Sequence, residues 1–210
     1  MLSHLDMNEA YTHYKKRAAL HKELNRTLYQ SDPATFVNLA LGISDPAGNY
    51  SASEYHSGPS VVQANGIPSV LELAKKLNVC QLPAKIPEII ANSRLKHLQI
   101  SIGSEMSMML QPKKFWTANV RTVWASLLIK YGDNYSEAEE ELKLYRNSSG
   151  DSAMDYSAWA AMHPTLEIPL SRLYHLGVEE ATRQNVKHGN RIYLWADAIA
   201  DMLYYKRTTK

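Results

Sequence analysis

Ile192-Tyr193-Leu194-Trp195-Ala196-Asp197-Ala198-Ile199-Ala200-Asp201-Met202-Leu203 decides the fold class. It reads as a strongly amphipathic helix, since its large apolar residues recur at three- and four-residue steps. Directly before it stands Glu179-Glu180-Ala181-Thr182-Arg183-Gln184-Asn185-Val186-Lys187-His188-Gly189-Asn190-Arg191. An arginine and a histidine five residues apart, closed by Gly189, put a fixed cation and a titratable imidazole on one small polar surface. That pair suits phosphate chemistry.

Upstream the same helical period repeats. Ile168-Pro169 starts a helix through Leu170, Leu173, Tyr174 and Leu176, with Gly177 as its expected C-cap. Asp155 to Met162 forms a short helix with Trp159, ended by His163-Pro164, and Asn147 to Ser152 reads as a turn. Ser136 and Glu139 form a Ser-x-x-Glu capping box for a charged helix. Pro112 opens the most apolar helix, carrying Phe115, Trp116, Val120, Val123, Trp124, Leu127 and Leu128, expected as the central buried element.

Gly103-Ser104-Glu105 reads as a reset ahead of Met106, Met108 and Met109. Ser69 to Val79 reads as a helix and turn, followed by Leu82 to Ile90. The first half looks like the opening of a helix-turn-helix unit. Pro83 and Pro87 would fall in its recognition helix, where an interior proline costs ~3 kcal/mol, so an ordinary helical hairpin outweighs DNA reading.

Residues 42–66 change to Gly, Ser, Asn, Asp and Pro and read as a flexible loop of about 25 residues. Before it, Asp6 to Gln30 forms one long amphipathic helix, and Ser31-Asp32-Pro33 stops it and starts a short second one. No long β alternation occurs. The expectation is all-α: a single multi-helix bundle of roughly eight helices, with an N-terminal helical arm over 1–41, the loop over 42–66 and the main domain over 67–210.

Composition narrows the function classes. One cysteine, Cys80, forms no internal disulfide, which points to a reducing, cytoplasmic setting in a cell or an infected host. No apolar run approaches the ~20 residues of a spanning helix, so no membrane is expected. The net charge of +2 places any nucleic-acid footprint in local clusters such as Lys113-Lys114. With 13 Tyr against 2 Phe, the chain favours contact surface. The eight histidines show no metal-ligand spacing, and no phosphate-cradling glycine loop or nucleophile elbow occurs, so neither metal nor cofactor is expected.

Arg183 and His188, followed by Gly189, remain. The Arg-x-x-x-x-His spacing resembles the signature of the HEPN superfamily of all-α domains, though Gln184 stands where that family often has Asn, Asp or His. The resemblance implies a metal-independent RNase with two such motifs in one composite site. RNA carries its own nucleophile, the 2′-OH, so a proton-transfer group and a phosphate clamp suffice. His188 takes the first role and Arg183 the second, with Asn185, Lys187, Arg191, Lys113 and Lys114 as further nucleic-acid contacts. The partners expected are RNA and a second copy of the chain or a larger assembly. The alternative is a non-enzymatic subunit that coats nucleic acid in an assembly, using many weak phosphate contacts and no single required residue.

Overall fold

Asp32 accepts the backbone N–H groups of Ala34 and Thr35, and Pro33 occupies the first helical position, where its missing N–H costs nothing. The start signal read there is therefore observed, and it separates α1 (Met7–Thr27) from α2 (Pro33–Ala40). The computed structural model describes residues 1–30, 32–146 and 152–207, so Ser31 and most of the turn read at 147–152 lie outside the described residues. Among those residues the chain is all-α with no strand, and it has more helices than the eight expected. No helix among them is long and apolar enough to cross a membrane.

The chain divides into two compact units, residues 1–15 with 118–210, and residues 16–117. This differs from the expected arm, loop and main domain. The helix read as an arm contributes its first turns to one unit and the rest to the other.

In the unit of residues 16–117, α3 (Tyr50–Glu54), α4 (Ser57–Asn65), α5 (Ile67–Val79), α6 (Ile86–Ser93) and α7 (Ile100–Leu110) follow α2. The central element is α7, buried from Ile102 through Leu110 and packed against α3, α5 and α6. Gly103-Ser104-Glu105 resets nothing, because these residues lie inside α7. Gly103 is there for close approach: a Cβ would stand 2.6 Å from Ile90 Cδ1 on α6. Pro83 opens a 3-10 turn (Pro83–Lys85) and Pro87 falls in the first turn of α6, both positions that tolerate proline.

Residues 42–66 are not a flexible loop. The Asp and Asn that read as linker residues are helix caps. Asp45 caps a 3-10 turn (Pro46–Gly48), and Asn49 caps α3 through Ala52 N–H while its amide donates to the carbonyls of Ala40 and Ile102. Asn65 exchanges two hydrogen bonds of 2.9 Å with the Lys96 backbone, which fixes the end of α4.

In the unit of residues 1–15 and 118–210 the helices are α8 (Val120–Lys130), α9 (Tyr135–Arg146), α10 (Ser152–Met162), α11 (Glu167–Arg183) and α12 (Ile192–Arg207). The stretch that decided the fold class lies in α12, buried from Tyr193 to Tyr204 and packed on α8 and α11. The helix expected from Pro112 begins eight residues later. Asn119 accepts the N–H groups of Arg121 and Thr122, and the Thr122 hydroxyl closes the capping box, so Phe115 and Trp116 are buried in a non-helical stretch of the other unit. Asn134, not Ser136, caps α9, bonding both the backbone and the side chain of Glu137. Glu139 pairs instead with Arg207.

Gly177 does not end its helix. It lies within α11, where a Cβ would come 2.0 Å from Ile199 Cδ1 and 2.9 Å from Trp195 Nε1 on α12. The glycine lets the two helices close on each other.

Candidate nucleic-acid interface on the connection between α11 and α12

The α11 helix ends because of Asn185. This residue adopts a left-handed backbone, φ 56°, while Val186 N–H bonds the Ala181 carbonyl at 2.8 Å and Asn185 N–H bonds that of Thr182 at 3.0 Å. The pair is a Schellman ending with Asn in the place usually taken by Gly. Arg183 is thus the last helical residue, and Lys187, His188 and Arg191 follow on a non-helical connection. The ~140° separation that an ideal helix would impose on residues five apart does not apply.

Both ends of the connection are held. At one end Gln184 accepts the Met7 N–H at 3.0 Å and donates to the Leu5 carbonyl at 2.8 Å. At the other, the Tyr14 hydroxyl donates to Asn190 Oδ1 at 2.9 Å and accepts the Asn190 N–H at 3.2 Å. Arg191 Nη1 lies 3.4 Å from the same hydroxyl. The Tyr14 ring packs edge-on against Trp195 and fills the space beside Gly189, where a Cβ would lie 2.5 Å away. Gly189 is therefore a packing glycine under an aromatic ring, not a helix cap.

Between these anchors the side chains face solvent. Arg183, Asn185, Lys187 and His188 are exposed, and Arg191 is half-buried. Arg183 is paired with Glu180 one turn earlier, whose carboxyl is held below its usual range chiefly by that hydrogen bond, while the guanidinium is raised in turn. The Glu180 side chain is only 11% exposed and also accepts Gln184 Nε2, whereas Arg183 is 61% exposed, so the guanidinium can present its solvent side to a phosphate with the pair kept. His188 Nδ1 lies 3.1 Å from the Gly189 carbonyl oxygen. A carbonyl only accepts, so Nδ1 carries the hydrogen and the neutral ring keeps its lone pair on Nε2.

Lys113 and Lys114 belong to the unit of residues 16–117. Lys113 is exposed, and Lys114 donates to the Cys80 carbonyl at 3.1 Å and to Gln81 Oε1 at 2.7 Å.

Two buried ionic clusters escaped the sequence reading. Asp201 holds Arg121 Nε 3.0 Å from one carboxylate oxygen and His13 Nδ1 3.3 Å from the other, joining α12, α8 and α1. In the other unit Glu105, fully buried, accepts Arg17, the backbone N–H groups of Tyr50 and Ser51 at 2.8 and 2.9 Å, and the Ser51 hydroxyl at 2.6 Å. The available signal was a carboxylate inside the apolar run Ile100 to Leu110. Among the described residues no three His, Cys, Asp or Glu side chains are grouped to hold a metal. No family model, curated protein or solved structure matches this chain.

Proposed function

We propose that the protein binds RNA through the connection between α11 and α12 and cleaves it without a metal. The observation that carries this reading is the anchored connection itself: Arg183 ends α11, and Lys187, His188 and Arg191 follow it on a non-helical stretch fixed by Gln184 and Tyr14. A surface already ordered loses little conformational freedom when a phosphate chain settles on it.

The chemistry follows from the tautomer of His188. Its Nε2 takes the proton of a ribose 2′-OH, the oxygen attacks the adjacent phosphorus, and the bond from phosphorus to O5′ breaks. An imidazolium returns a proton to O5′. The products are a cyclic phosphate and a 5′-hydroxyl, and Arg183 and Lys187 balance the charge on the phosphate oxygens.

The test is fluorescence anisotropy with a labelled 20-nucleotide single-stranded RNA in EDTA, followed by a denaturing gel of the recovered RNA. The expected result is binding and shortening by the wild type. Lys187→Ala with Arg191→Ala weakens binding, and His188→Ala binds but does not cut. Binding without cutting by the wild type would remove the nuclease step and leave a coating role. Absence of binding would overturn the whole reading.

A further inference from the structure

The unit of residues 16–117 carries a surface patch unrelated in sequence to the connection. Tyr29, just past the end of α1, is 66% exposed; Val79, the last residue of α5, is 64% exposed; Leu82, at the start of the next turn, is 62% exposed. Contacts within the unit bring these segments to one place. Asn78 donates to the Tyr29 hydroxyl at 2.8 Å, and Gln111 donates to the Asn78 carbonyl. Lys114 reaches back to Cys80 and Gln81, between Val79 and Leu82.

The segments that form the patch carry charge of one sign. Residues 28–30, 78–82 and 111–115 contain Lys113 and Lys114 and no carboxylate. The nearest acids along the chain are engaged elsewhere: Glu23 with Arg26, Asp32 on the start of α2, Glu72 with Lys76, Glu88 with Lys85 and Glu105 with Arg17. Lys114 uses two of its three N–H donors on the protein, which leaves one for a ligand.

An exposed aromatic ring beside lysines is the arrangement that binds single-stranded nucleic acid, a base stacking on the ring while the ammonium groups meet the backbone. Tyr29 offers the ring, held at its hydroxyl so that little rotamer freedom is lost. Val79 and Leu82 offer apolar surface for a base or ribose edge. Lys113 and Lys114 offer the charge. The geometry points to a second contact for single-stranded RNA at Tyr29, Val79, Leu82, Lys113 and Lys114, separate in the chain from the connection between α11 and α12. This inference rests on the RNA reading of the protein, and the complementarity of two lysines with a phosphate backbone selects RNA over an uncharged apolar partner.

The test uses the full chain and a 20-nucleotide RNA carrying 4-thiouridine at every third position, photo-crosslinked, digested and mapped by mass spectrometry. Crosslinks at Tyr29 or within 78–82 are expected, together with those at 183–191. Tyr29→Ala is expected to weaken binding ~10-fold, as loss of one base-stacking platform does. Lys113→Ala with Lys114→Ala lowers the salt dependence of binding, and circular dichroism checks that each variant is folded.

Crosslinks confined to 183–191, with Tyr29→Ala binding as wild type, would overturn the patch and leave the connection standing. Crosslinks confined to the patch would support it and overturn the connection. Absence of binding and of crosslinks would overturn both. Protection of Tyr29, Val79 and Leu82 from hydroxyl radicals at rising protein concentration without RNA would assign the patch to a second copy of the chain and overturn the inference.

Discussion

Glu105 shows how one residue can organise a unit. Its carboxylate faces Arg17 and also serves the first N–H groups of α3, with both charged side chains at 0% exposure. Removing one partner of such a pair strands the other away from water. Glu105→Ala is expected to destabilise the protein by about 3–5 kcal/mol, measured as a lower urea midpoint. Tyr193 gives a pH signature. Burial first, and the charge of Glu167 second, push its phenol up to about 12. A folded pKa above the unfolded one leaves stability intact below the unfolded value and removes it as pH rises, because the unfolded chain loses the proton first. Stability should therefore fall between about pH 10 and 12, by ~2 kcal/mol, and Tyr193→Phe should flatten that fall in thermal melts. Glu105 reads as part of a reset at Gly103-Ser104-Glu105, because the partners that give it its role lie 54 and 88 positions away.

At the scale of elements the sequence was readable wherever a local rule decided. The long helix from Asp6, the Asp32-Pro33 start and the helix after Gly189 needed only periodicity and capping chemistry, and the structure has them as α1, α2 and α12. Reading failed where two signals competed for one residue. Gly177 carries a helix-ending preference, but Ile199 and Trp195 require its missing side chain inside α11. Gly177→Ala should thus cost ~1–3 kcal/mol, overpacking outweighing the better helix propensity of alanine, and a lowered melting temperature checks it. Ser136 and Asn134 both fit a cap for α9, and the asparagine holds it. Asn134→Ala should cost about 1 kcal/mol while Ser136→Ala costs little, by the same melts. The candidate site was half legible: Arg183 and His188 were identified by type and spacing, while the Schellman ending at Asn185 and the Tyr14 anchor depend on backbone conformation and on residues some 176 positions away.

For the molecule as a whole, a net charge of +2 makes its bulk field a poor attractor for polyanions, so binding depends on a few placed cations. If Arg183, Lys187 and Arg191 each meet one phosphate, the slope of log affinity against log salt should be about −2, and the patch lysines would steepen it. A titration of anisotropy across salt concentrations reads this directly. The cap on α3 also has a consequence in time. A helix of five residues does not hold alone, and its anchors, the Ile102 carbonyl and the Glu105 carboxylate, lie in α7. As the chain is made from its N-terminus, Tyr50 to Glu54 must wait until α7 has left the ribosome before they can fold, so more than half of the chain is synthesised before this short segment finds its shape.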